Sequence, residues 1–88
     1  MVDFEIRDGV LVRYHGKDPY PQVPQGIVRI GEGAFRDCRD IYEVTLPEGL
    51  ERIEAEAFQW CANLEKVIAP KSLLFIDQGA FAGTRFYR

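Results

Sequence analysis

Few residues of the reactive kinds are present in this chain of 88 residues, and each scarcity closes a functional class. His15 is the one histidine, and the two cysteines, Cys38 and Cys61, stand 23 positions apart. That leaves no Cys-x-x-Cys and no zinc-ligand spacing, and no metal or other cofactor is expected. His15 lies between Tyr14 and Gly16 in what reads as a solvent-exposed turn, where a general base is a poor fit. No Gly-x-Ser-x-Gly occurs, and Gly31-x-Gly33 has Arg36 where a nucleotide-binding loop needs its third glycine. The chain is therefore not expected to be an enzyme. Basic residues do not dominate either: 11 lysines and arginines against 14 acids leave a net charge of -3, the wrong sign for a phosphate backbone or an anionic membrane surface. No apolar run approaches the roughly 20 residues that cross a bilayer, so no membrane insertion is expected. Acids at Asp3 and Glu5 stand where a signal peptide carries lysine, so the chain as written reads as cytoplasmic.

What the sequence does have is a beat of 23 residues. Ile30-Gly31-Glu32-Gly33-Ala34-Phe35 is answered by Ile53-Glu54-Ala55-Glu56-Ala57-Phe58 and by Ile76-Asp77-Gln78-Gly79-Ala80-Phe81. Pro24, Pro47 and Pro70 keep the same interval, as do Ile27, Leu50 and Leu73; Cys38 is echoed by Cys61 and then by Thr84. Upstream of the prolines, Ile41 and Val44 correspond to Leu64 and Val67. A period of this length means coils stacked one on the next, burying a continuous core and displaying long surfaces. Ile30, Ile53 and Ile76, with Phe35, Phe58 and Phe81, are expected to form apolar ladders, and Cys38 and Cys61 to lie in one column. In-register neighbours about 4.8 Å apart permit a disulfide, but two side chains pointing the same way suit free thiols better. The prolines, lacking an N–H, suit the ends of strands.

Local propensity offers a competitor. From Glu48 to Ile68 the chain is rich in Glu, Ala and Leu at near-helical spacing. Equivalent positions in the other coils include Gly26, Gly31, Gly33 and Gly79, each unfavourable inside a helix by about 1 kcal/mol, so the repeat prevails. The expectation is short strands at about 42–46 and 65–69, a second strand at each Arg-Ile or Phe-Ile pair, and a helical turn at each Ala-Phe. Trp60 is expected as a partly buried cover of its turn, with a ligand anchor as the alternative.

The units Ile-x-x-Val-x-Leu-Pro and Leu-x-x-Val-x-Ala-Pro, followed by Ala-Phe-x-x-Cys, resemble the BspA-like class of bacterial leucine-rich repeats over residues 20 to 84. The resemblance implies a short right-handed solenoid, mainly β, with parallel strands on the concave face and short strands and helical turns on the convex side. Phe4 to Tyr14 reads as a hairpin about Asp8-Gly9. In this family such hairpins lead into the repeats, so Gly9, Leu11, Tyr14 and Gly16 look like an N-terminal cap. The whole is expected to be a single domain, 1–88: cap 1–17, coils 18–40, 41–63 and 64–84, and a tail at 85–88. BspA-like repeats occur in bacterial surface proteins that attach to host proteins or other cells, which makes a cell-surface adhesin fragment one alternative if the chain is a segment of something larger.

The function expected is a non-catalytic protein-interaction module for a protein partner, with a structural stacking or oligomerisation unit as a further alternative. Between the core positions of the concave strands lie Tyr20 and Gln22, Glu43 and Thr45, and Lys66 and Ile68, the candidate binding surface. Phe86 and Tyr87 in the tail are a candidate site of end-to-end or edge association between copies, or else a plug over the last coil.

Overall fold

The computed structural model describes residues 3–85; Phe86 and Tyr87 lie outside the described residues. The chain opens with the hairpin β1 (Phe4–Arg7) and β2 (Val10–Tyr14), antiparallel about a two-residue turn. Asp8 and Gly9 both take positive φ, 52° and 77°, the backbone twist that matches a tight hairpin to its strands. Gly16 lies flat against the Tyr14 ring, where a Cβ would come within 2.6 Å of the hydroxyl.

From there the chain coils. β3 (Arg29–Ile30), β5 (Arg52–Ile53) and β7 (Phe75–Ile76) pair in parallel, Arg29 with Arg52 with Phe75 and Ile30 with Ile53 with Ile76. β4 (Glu43–Thr45) and β6 (Lys66–Ile68) form a second parallel pair, Glu43 with Lys66 and Thr45 with Ile68. Every pairing joins residues 23 apart, so one sequence period is one coil of the solenoid. The hairpin joins the larger sheet through β2, giving the order β1-β2-β3-β5-β7. β1 therefore covers the sheet edge that the first coil would otherwise present to water.

Among the described residues there is no helix; the stretch from Glu48 to Ile68 holds β5, tight turns and β6. The backbone explains why. Gly33, Glu56 and Gly79 all have positive φ (67°, 58° and 95°), and so do Asp37, Trp60 and Gly83 (62°, 64° and 79°). Left-handed residues recurring at these two columns break a helix within one turn. The Ala-Phe segments instead alternate their bonding. Ala57 and Gln59 N–H donate within the coil to Glu54 and Glu56, while Phe58 and Trp60 donate to Ala80 and Ala82 of the next coil. The helical turn expected there is realised as successive three-residue bends stitched to the neighbouring coil.

The core is a column of rings. Phe4, Tyr14, Phe35, Phe58 and Phe81 follow one another at centroid distances of 5.1, 5.2, 4.8 and 5.0 Å, the last three nearly parallel. The cap thus extends the phenylalanine ladder with its own two rings. Beside it Ile30, Ile53, Leu11, Leu50 and Leu64 are fully buried. Ile76 continues the isoleucine column but is 49% exposed, and Leu74 of the same coil is 82% exposed, since no described strand lies beyond β7.

Candidate functional site

The strand pair β4–β6 alternates as a half-buried sheet must: Val44 points into the core, while Glu43 and Thr45 point out. One coil earlier, Gln22 forms a single parallel bridge to Thr45. The segment there is no full strand because Pro19 and Pro21 lack N–H groups. Their carbonyls accept from Glu43 and Thr45, and only Val23 returns a donor, to Thr45. The register therefore sets Tyr20, Glu43 and Lys66 in one row and Gln22, Thr45 and Ile68 in the next, all on one face. Glu43 and Thr45, flanked on both sides, are partly covered; Tyr20, Gln22, Lys66 and Ile68 are exposed.

A seventh member escaped the sequence. Tyr42 is 41% exposed, and its ring lies 6.5 Å from that of Tyr20, so two aromatics stand together at one border of the face. Its repeat column, Pro19, Tyr42 and Glu65, has no shared chemistry, and only its place next to the candidate Glu43 could have drawn attention to it. Together these residues form a shallow polar and aromatic patch with one carboxylate, one ammonium, one amide and one exposed aliphatic. That composition suits a polypeptide surface and offers no nucleophile paired with a base.

The opposite sheet is held by charge. Glu54 Oε2 accepts from Arg29 at 3.2 Å and from Arg52 at 3.3 Å, and the Arg52 guanidinium lies 4.5 Å from the centre of the Phe75 ring. Arg36 pairs with Glu56 across the next coil, and Arg13 of the cap donates to the carbonyls of Gly33 and Arg36. These groups bond coil to coil. His15 pairs with Glu5 at 2.9 Å across the exposed hairpin. Trp60 is 53% exposed, with one edge of its ring laid over Gly83.

Both cysteines are free thiols, Cys61 buried and Cys38 partly so. Cys61 Sγ donates to the carbonyl of Phe35 in the preceding coil at 2.9 Å. Burial above all, with the neighbouring Cys38 adding to it, pushes the Cys61 thiol up from 9.0 to about 12; burial raises Cys38 too. The unfolded thiol ionises near 9 and the folded one does not, so the stability Cys61 confers is complete below pH 9 and declines between about 9 and 12. Urea denaturation at pH 8 and pH 10.5 is expected to show native chain losing more stability over that interval than Cys61→Ala.

Among the described residues no helix is long and apolar enough to cross a membrane, and no group of three or more His, Cys, Asp or Glu could hold a metal ion.

Comparison with known proteins adds a family and a fold. The model of the family described as "BspA type Leucine rich repeat region (6 copies)" matches residues 19–87. The crystal structure of a leucine-rich repeat protein of T. pallidum superimposes with a TM-score of 0.80 at 29% identity, over 84% of this chain and 37% of that one. The chain thus spans little more than a third of the length of that protein. No curated protein matches it.

Proposed function

The chain belongs to the BspA-type leucine-rich repeat family, and from that premise we propose that it is a non-catalytic protein-interaction module whose docking face is the row of strands β4 and β6 with the segment before them. The observation that carries this reading is the register: Tyr20, Gln22, Glu43, Thr45, Lys66 and Ile68 share one outward face. Three neighbouring strand segments about 4.8 Å apart give a face of roughly 200 to 300 Å², well short of the about 800 Å² per partner of a standard stable interface. A partner held by this face alone binds weakly, and tight binding needs contacts beyond it, to which the Tyr20–Tyr42 border is the nearest extension.

A second reading, a unit that stacks on copies of itself, is favoured by one observation: Leu74, Phe75 and Ile76 expose their side chains at the β7 edge. One experiment addresses both. Proteins retained on the immobilised chain are expected to be lost, by about tenfold or more in affinity, on Tyr20→Ala with Lys66→Glu. A chain that retains only itself, and ceases to do so on Leu74→Glu, would replace the first reading with the second.

A further inference from the structure

Where the hairpin cap meets the first coil, Asp3, Phe4, Tyr14, Asp18, Tyr20 and Gln22 line an open cleft of about 260 Å³. Its chemistry is one-sided. Three aromatic and two acidic residues line it, and none of its lining residues is basic. Tyr14 is 4% exposed and forms the floor, packed between Phe4 and Phe35. Tyr20, 59% exposed, stands at the rim.

The parts are fixed by hydrogen bonds. The Tyr14 hydroxyl donates to the backbone carbonyl of Asp18 at 3.1 Å, and the Tyr20 N–H donates to Asp18 Oδ1 at 2.8 Å, so ring, carboxylate and rim are tied into one short loop. The carbonyl of Asp3 accepts from the N–H of His15 at 2.7 Å, which anchors the other acid. Burial above all raises the Tyr14 pKa; its hydrogen bond to the Asp18 carbonyl lowers it, and the nearby charges of Asp18 and Asp3 raise it.

We propose that this cleft holds an arginine side chain of a protein partner docked on the adjoining strand face. A guanidinium is planar, stacks on aromatic faces, donates in a fork to carboxylates and sheds its water more readily than an ammonium. The cleft offers those two kinds of surface side by side. Tyr20 and Gln22 belong both to the cleft and to the strand face, so a partner lying across the strands reaches the cleft without a gap. The source of the arginine rests on the interaction-module reading; the affinity of the cleft for a guanidinium does not.

The test is a titration of the isotopically labelled chain with Nα-acetyl-arginine methylamide, followed by the amide shifts of Phe4, Tyr14 and Tyr20. The neutral isostere Nα-acetyl-citrulline methylamide serves as the control. Saturable shifts at these three positions are expected with arginine, with an affinity about tenfold above that for citrulline. Asp3→Asn with Asp18→Asn, which keeps an oxygen acceptor for the Tyr20 N–H, is expected to remove that advantage, and Tyr20→Ala to weaken arginine binding several-fold. Equal responses to the two probes, or shifts that the asparagine variant leaves unchanged, would overturn the proposal. Since no partner takes part, a negative titration leaves the strand-face reading standing. A positive one, alongside a partner indifferent to Tyr20→Ala with Lys66→Glu, would sink both the strand-face reading and the partner as source of the arginine, leaving only the affinity of the cleft for a guanidinium.

Discussion

Phe58→Ala is expected to cost about 3–5 kcal/mol. Phe58 is fully buried and is the middle ring of the parallel part of the ladder, 4.8 Å from Phe35 and 5.0 Å from Phe81. Its removal opens a cavity between two coils that cannot close, because the strands on either side are fixed in register by β3, β5 and β7. Small domains have only about 5–15 kcal/mol in total, so the urea midpoint is expected to fall by roughly 2 M or more. The same change at Phe81, which is partly exposed, is expected to cost appreciably less. Equal losses at the two positions would mean that the ladder is not stacked as described.

Gly83→Ala is expected to cost about 2–3 kcal/mol. Two costs coincide there. Gly83 sits at φ +79°, and a Cβ added to it would lie 2.5 Å from the Trp60 ring. The ring would have to swing off the turn it covers. Gly79 provides the internal control: its φ is +95°, but nothing lies within 4 Å of an added Cβ, so Gly79→Ala measures the backbone cost alone. The difference between the two variants is expected to vanish in a Trp60→Ala background, which denaturation of the six chains would reveal as a coupling between positions 60 and 83. Additive effects would contradict the placement of Trp60 against Gly83.

Much of this architecture was legible because apolar columns repeat at a fixed interval. Each x-Val-x triplet before a proline located a strand, and each Arg-Ile or Phe-Ile pair located another. The helical spacing from Glu48 to Ile68 was misleading on its own. Glu56 and Trp60 occupy left-handed positions that their side chains conceal, and only Gly33, Gly79 and Gly83 in the matching columns betray them. Periodicity also treats every coil alike, whereas burial depends on what lies beyond it. Ile76 reads like Ile30 and Ile53 but is half exposed.

The candidate face was legible as rows, since outward residues between core positions must fall on one side of a strand. Its borders were not. Tyr42 approaches Tyr20 through a turn whose shape no local pattern announces, and the cap cleft depends on a hairpin folding back over the first coil. Both are products of tertiary packing between segments with no common motif.

The most direct test of the central claim places a photoreactive benzoylphenylalanine at position 45, in the middle of the strand face, and separately at position 32 on an exposed turn, then irradiates the chain with a partner it retains. Cross-linking from position 45 and not from position 32 is the result expected of a module that docks through β4 and β6. Cross-linking from position 32 alone would contradict it, and would move the binding surface to the turns.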